Sequence, residues 1–232
     1  MRIACDLVHP GEILARWSLR RCGIITLQPS QSIGNICMRT YADLKSTFDG
    51  RPMPFAFVDL DALDANIESI VKRAGDKQIR IASKSVRSRP ILDHLLKAHS
   101  QIQGLMCFTV PEAVWLSQQG YDDLLLGYPS WHPAEIRAVC VEVRNGKTII
   151  LMIDSVAHID HLQAIAASQD VVLPVCLDVA MSVAFPGLHF GVWRSSVTTV
   201  DHARDICTAI EHCPNITLDG IMGYEAQIAD RR

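Results

Sequence analysis

Lys84 follows a short apolar run, Gln78-Ile79-Arg80-Ile81-Ala82, and leads into Ser85-Val86-Arg87-Ser88. One strand–helix unit earlier stands another apolar run, Phe55-Ala56-Phe57-Val58-Asp59-Leu60. A lysine at the C-terminal mouth of a strand in a β/α array sits on the rim where such folds carry their reactive groups. An amine so placed can act as a nucleophile and form a Schiff base with an aldehyde cofactor. The same position also suits a solvent-facing lysine in a basic loop with Arg80, Arg87 and Arg89, and position alone leaves both readings open.

The elements that must hold Lys84 in place come from periodicity. Short β-branched or apolar runs at residues 55–60, 79–83, 103–107, 123–127, 148–153, 171–178 and 216–222 predict strands. Between them lie helical stripes such as Leu63/Ile67/Ile70/Val71, Ile136/Val139/Cys140 and Ile206/Cys207/Ile210. Pro90, Pro111 and Pro133 stand where helices should begin, a position at which a missing amide donor costs nothing. Asp61, Asp154, Asp178 and other polar side chains, namely Thr109, Tyr128 and Tyr224 with Lys84, follow the strand ends. Strands buried on both faces and separated by helices imply a parallel sheet. No GxGxxG turn follows the first strand, which disfavours a dinucleotide fold. The expectation is therefore an α/β chain of the (β/α)8 TIM-barrel type, cut off after its seventh strand. Residues 51–232 would form that barrel domain, and residues 1–50 a separate arm or small cap. Within the arm only Ile24-Ile25-Thr26-Leu27 reads as a strand, and residues 41–48 suit a short helix ended by Asp49-Gly50.

Composition excludes several function classes. The 232 residues carry 22 basic and 25 acidic side chains, a net charge of −3, without long charged tails. Nothing there draws the chain to nucleic acid or to an anionic membrane. The eight cysteines include no CxxC pair, and Cys107, Cys140 and Cys176 lie inside apolar runs that suit buried free thiols. With no clean signal peptide and no apolar run of membrane-spanning length, a cytoplasmic location is expected. His158 and His161 are three apart, but no third ligand follows at zinc spacing, so no metal site is read.

Longer phrases carry a specific resemblance. Phe57-Val58-Asp59-Leu60-Asp61-Ala62-Leu63-Asp64-Ala65-Asn66-Ile67 resembles the opening segment of the alanine racemase N-terminal domain superfamily, the fold type III pyridoxal-phosphate enzymes. Ile81-Ala82-Ser83-Lys84-Ser85-Val86-Arg87 is similar to the segment that carries that family's cofactor lysine. Cys176-Leu177-Asp178-Val179-Ala180-Met181-Ser182 and Leu218-Asp219-Gly220-Ile221-Met222-Gly223-Tyr224-Glu225-Ala226-Gln227-Ile228 resemble its sixth and seventh strands. The resemblance is strongest to the D-threonine aldolase and D-serine dehydratase branch, and within it to bacterial proteins called amino acid deaminase/aldolase. It spans roughly residues 54 to 230 and leaves out the first fifty.

That resemblance implies pyridoxal 5'-phosphate held by Lys84, with Tyr224, His189, Asp178, Gln227 and Arg87 on the cofactor side. Gln227 falls where the aldolase branch often has histidine, and Ala226 replaces a glycine there. A divalent metal, zinc or manganese, is implied only for the intact family member, through a C-terminal domain not found in this sequence. The implied activity is a lyase reaction on D- or β-hydroxy amino acids, either deamination of the D-serine type or retro-aldol cleavage of the D-threonine type. The chain alone is expected to turn over weakly or not at all, and to self-associate, most simply as a homodimer. Alternative readings are a non-catalytic pyridoxal-phosphate-binding or homeostasis protein, an inactive fragment, and an amino-acid racemase.

Overall fold

The computed structural model describes residues 39–224. They fall into two compact units, residues 39–70 and 71–224. In the first, helix α1 (Tyr41–Thr47) opens with a capping box: Thr40 Oγ1 accepts from the Asp43 amide, and the Asp43 carboxylate accepts from the Thr40 amide. Helix α2 (Leu60–Ala74) follows, its first turn held by Asp59, whose carboxylate accepts from the Ala62 amide at 3.2 Å. Arg39 bridges Asp59 at 3.0 Å and Asp61 at 2.6 Å. The cap at this helix is thus Asp59, and Asp61 spends its charge on Arg39.

The second unit is built on a six-stranded parallel sheet in the order β1-β2-β3-β4-β5-β8. Its strands are β1 (Ile79–Ala82), β2 (Ile102–Cys107), β3 (Leu124–Pro129), β4 (Ile149–Ile153), β5 (Leu173–Val179) and β8 (Ile216–Gly223). A single-turn helix α3 (Ser83–Val86) and then α4 (Arg89–Ala98) join β1 to β2. The later crossovers are α5 (Val110–Gln118), α6 (Pro133–Arg144), α7 (Val156–Ser168) and α8 (Val200–Glu211). Between β5 and α8 the chain makes an antiparallel hairpin, β6 (Val183–Phe185) and β7 (Leu188–Phe190), turning at Pro186-Gly187.

Local chemistry explains the helix starts. Proline lies in the first turn of α4, α5 and α6, and Thr109, Ser155 and Thr199 cap α5, α7 and α8 through their hydroxyls. β4 is buried at every position. Its Ile149, Leu151 and Ile153 join the main core with Leu105, Leu124, Ile136, Val139, Ile159 and Leu177, while Ile150 and Met152 meet Cys176 in a smaller cluster. Burial of alternate residues in two different clusters is what a parallel strand covered on both faces requires.

The expected barrel needs correction. The described residues hold eight strands, and the eighth, β8, pairs with β5 from Leu173↔Ile216 to Val179↔Gly223, so the chain is not an array cut off after its seventh strand. The observed fold is α/β with a barrel-like parallel core. Among the described residues, 55–59 join no ladder. Phe55 and Phe57 instead pack on Phe48, with ring centroids 4.9 and 4.6 Å apart, and Pro52 and Pro54 bring no amide donors to the segment leading in. The hairpin β6–β7 lies where the sequence suggested no element. The run Ile24–Leu27 falls outside the described residues.

Candidate functional site

All six strands of the main sheet run the same way, so their carboxyl ends share one edge. The register brings Ala82 opposite Met106, Cys107 opposite Leu126, Ile153 opposite Leu177 and Val179 opposite Gly223. Tyr128 and Asp178 are the penultimate residues of β3 and β5, Lys84, Phe108, Asp154 and Tyr224 follow the ends of β1, β2, β4 and β8, and the edge gathers side chains far apart in sequence.

Lys84 lies in α3. That helix closes after one turn because Arg87 adopts a left-handed conformation (φ 45°) while its amide donates to Ser83 O at 2.8 Å. Lys84 Nζ lies 5.7 Å from the centroid of Phe108 and 5.8 Å from that of Tyr128. The two rings meet edge to face, centroids 5.5 Å apart at 85°. Both distances are within the reach of a cation–π contact, which holds an amine over a ring without a carboxylate beside it.

Arg194 extends the cluster across the sheet. Its guanidinium carbon is 4.8 Å from the Tyr128 centroid and 5.3 Å from that of Tyr224. Its Nε donates to Asp178 Oδ2 at 2.9 Å and Oδ1 at 3.2 Å, and its Nη2 donates to Gly127 O. Asp178 is 1% exposed. Burial pushes its carboxyl above the ordinary value; Arg194 pulls it back down and Asp154 adds to the rise. The segment carrying Arg194 is pinned to two strands. Ser195 Oγ donates to Asp178 O at 2.6 Å, Ser196 Oγ to Asp154 O at 2.5 Å, and the Ala180 amide to Val197 O at 2.8 Å. Asp154 also meets His158 Nδ1 at 2.9 Å, and His161 stacks on Trp131 at 4.2 Å.

The geometry therefore brings Lys84, Asp178 and Tyr224 to one edge, linked through Tyr128 and Arg194. Arg87 is exposed and turns back on its own segment, its Nε donating to Lys84 O at 3.1 Å. His189 lies in β7, stacked on Trp193 at 3.7 Å, with both ring nitrogens buried and lacking a hydrogen-bond partner among the described residues. Gln227 lies outside the described residues. Sequence reasoning noted Tyr128 only as a polar residue after a strand, and missed Phe108 and Arg194. Arg194 gave no periodic signal: it sits in an irregular stretch, and its partner is 16 positions earlier. Among the described residues no group of three or more His, Cys, Asp or Glu is placed to hold a metal ion, and no helix is long and apolar enough to cross a membrane.

Comparison with known proteins agrees with this architecture. The chain is 26% identical over 177 residues to 3-hydroxy-D-aspartate aldolase from Paracoccus denitrificans, an alignment covering 76% of this chain and 43% of the relative. The fold matches D-threo-3-hydroxyaspartate dehydratase from Delftia sp. HT23 with a TM-score of 0.61 at 21% identity, over 75% of this chain and 44% of that one. It matches D-threonine aldolase from Filomicrobium marinum with a TM-score of 0.60 at 17% identity, over 71% and 42%. The chain spans less than half the length of each of these relatives. The family model described as "Alanine racemase, N-terminal domain" matches residues 58–232, well over half of the sequence. The chain belongs to the alanine racemase N-terminal domain family, within the fold type III pyridoxal-phosphate enzymes.

Proposed function

We propose that this chain provides the pyridoxal-phosphate-binding part of a lyase acting on D- or β-hydroxy amino acids, by deamination of the D-serine type or retro-aldol cleavage of the D-threonine type. Lys84 is the residue that holds the cofactor. The observation that carries this reading is Lys84 Nζ over the Phe108–Tyr128 pair at the carboxyl edge of the sheet, with Arg194 bridging Tyr128 to Tyr224. Family membership supports it. So does the likeness to an aldolase named for 3-hydroxy-D-aspartate, itself a D-configured β-hydroxy amino acid. Residues 51–232 are the proposed cofactor-binding domain, and residues 1–50 a separate arm.

The side chains fit the group. An amine is available for its aldehyde, aromatic rings for its planar ring, and a guanidinium for its anionic atoms. Pyridoxal phosphate, when bound, supplies an aldehyde that condenses with amines and a ring that draws electrons from the substrate's Cα. Lys84 Nζ would hold the cofactor through its aldehyde, and as a free amine it would move a proton at the substrate's Cα. Phe108 and Tyr128 exclude water from the side of Nζ they cover. Asp178 holds Arg194 oriented toward the two tyrosine rings, and Tyr224 lines the far side of the cluster. Arg87 steers anions toward the rim. His189 and Gln227 complete the proposed set on the cofactor side.

The test is borohydride reduction of the chain incubated with pyridoxal phosphate, followed by peptide mapping. Label concentrated on Lys84, and lost in a Lys84→Ala variant that melts like the parent, is the expected result. Label scattered over surface lysines, or undiminished in the variant, overturns the proposal.

A further inference from the structure

We propose that Glu112 is a positioning residue for Lys84: its one carboxylate ties the lysine's segment to the aromatic ring beneath the amine. The inference rests on the reading of Lys84 as the cofactor lysine and goes beyond it by naming what fixes that amine. Glu112 sits in the first turn of α5, on a different strand–helix unit from Lys84. Its Oε1 accepts from Ser83 Oγ at 2.8 Å, and its Oε2 accepts from the Phe108 amide at 2.8 Å. Ser83 is the residue before Lys84 and the first of α3, and it is 1% exposed. Phe108 is one of the two rings over which Lys84 Nζ lies.

No other described hydrogen bond grips both halves of this contact. Ser83 Oγ has Met106 O as a second acceptor at 3.1 Å, which ties α3 to β2 but leaves the Phe108 backbone free to rotate past the strand end. Phe108 itself lies beyond β2, outside the ladder, and is half-exposed, so neither sheet hydrogen bonds nor packing alone orient its ring. The Phe108 amide needs an acceptor, and the Glu112 oxygen provides it. Thr109 sets that oxygen in turn, because its hydroxyl accepts from the Glu112 amide at 3.4 Å to start the helix. A lysine on a four-carbon stem has many rotamers. Holding the chain segment and one flanking ring to a common anchor restricts where its nitrogen can sit, and a reacting group must be held within a fraction of an ångström to be effective.

The chemistry of the variants separates positioning from mere support of the fold. Glutamine at this position keeps the link: its carbonyl accepts from the Phe108 amide, its amide donates to Ser83 Oγ, and Ser83 then donates to Met106 O. Alanine cuts it at both ends. The experiment measures the apparent affinity for pyridoxal phosphate at Lys84, by borohydride trapping and peptide mapping across a cofactor series, with melting followed in parallel. Glu112→Ala is expected to weaken Lys84-specific labelling by about tenfold, the order of one lost hydrogen bond to a charged group, while Glu112→Gln stays near the parent. Ser83→Ala should weaken labelling as well, and the double variant Ser83→Ala/Glu112→Ala no further than either alone, because both cut one link.

Equal Lys84 labelling in the parent and in folded Glu112→Ala overturns the proposal, as does a loss in Glu112→Gln as deep as in Glu112→Ala. Should Glu112→Ala not fold, the comparison of Ser83→Ala with Glu112→Gln decides in the same way. If the parent itself shows no preference for Lys84, the reading of the cofactor lysine has failed and takes this inference with it. If the parent labels at Lys84 and the variants do not differ, only the positioning role has failed.

Discussion

Replacing Arg194 with methionine is expected to destabilise the chain by about 3–5 kcal/mol at neutral pH, the usual cost of leaving one partner of a buried ion pair alone. The structure gives the reasons for that size. The Asp178 side chain is 2% exposed and that of Arg194 is 12%, so solvent does little to screen either. The guanidinium carries the Nε bonds to both Asp178 oxygens and the Nη2 bond to Gly127 O. It also lies over the rings of Tyr128 and Tyr224, and each such contact adds about 0.5–1 kcal/mol at partly exposed sites. Methionine keeps most of the apolar stem and removes the charge.

The loss should depend on pH in a direction set by Asp178. Burial raises its carboxyl above the ordinary value; Arg194 opposes that rise and Asp154 reinforces it. Without Arg194 the rise is larger. A folded-state acid with a raised value binds its proton more tightly than the unfolded chain, so stability is recovered as pH falls through that raised value. The gap between variant and parent should therefore be widest at about pH 8 and narrow toward about pH 5. Urea unfolding at both pH values, with midpoints compared at constant slope, measures it. A double variant, Arg194→Met with Asp178→Leu, should recover much of the loss, because no unpaired charge is then buried. A gap below about 1 kcal/mol, which is what a surface pair would give, refutes the reasoning, as does a gap that does not change with pH.

Two further expectations concern the buried thiols and one glycine. Burial pushes the thiols of Cys107 to about 12 and Cys176 to about 11, with neighbouring carboxylates adding to both, so alkylation of the native chain at about pH 8 should spare them. Peptide mapping should find Cys207, which is partly exposed, labelled well ahead of them, and rapid labelling of Cys107 would contradict the buried-thiol account. Gly104 has φ +65°, and a Cβ there would stand 2.4 Å from Asp123 O, the same carbonyl that Arg80 holds. Gly104→Ala should thus cost at least about 1–3 kcal/mol in a thermal or urea melt, and a neutral result would show that the β2 backbone can move away.

The sequence by itself determined the parts of this protein that depend on local period and on chain order. Strands β1 to β5 and β8 lie within a residue or two of the apolar runs that predict them, and Pro90, Pro111 and Pro133 open the helices as their chemistry requires. The family was legible too, in the phrases around Lys84, Asp178 and Tyr224. What the sequence could not supply was partnership. Phe55–Leu60 has the composition of a strand, yet a strand exists only if a neighbour offers amides and carbonyls; here the phenylalanines find Phe48, and Leu60 begins a helix. Among the described residues the hairpin β6–β7 pairs only with itself, and it leaves Phe185 and Leu188 largely exposed, so no burial pattern announced it. The cluster around Lys84 was hidden for the same reason. Phe108 with Glu112, Tyr128 and Arg194 come from three separate stretches of the chain and meet Lys84 because parallel strands in register bring their carboxyl ends to one edge. Arg194 depended most on the tertiary structure. Nothing in its own neighbourhood marks it, and its place is set by a buried carboxylate on β5 and a carbonyl at Gly127 on β3, contacts that exist only once the sheet has formed.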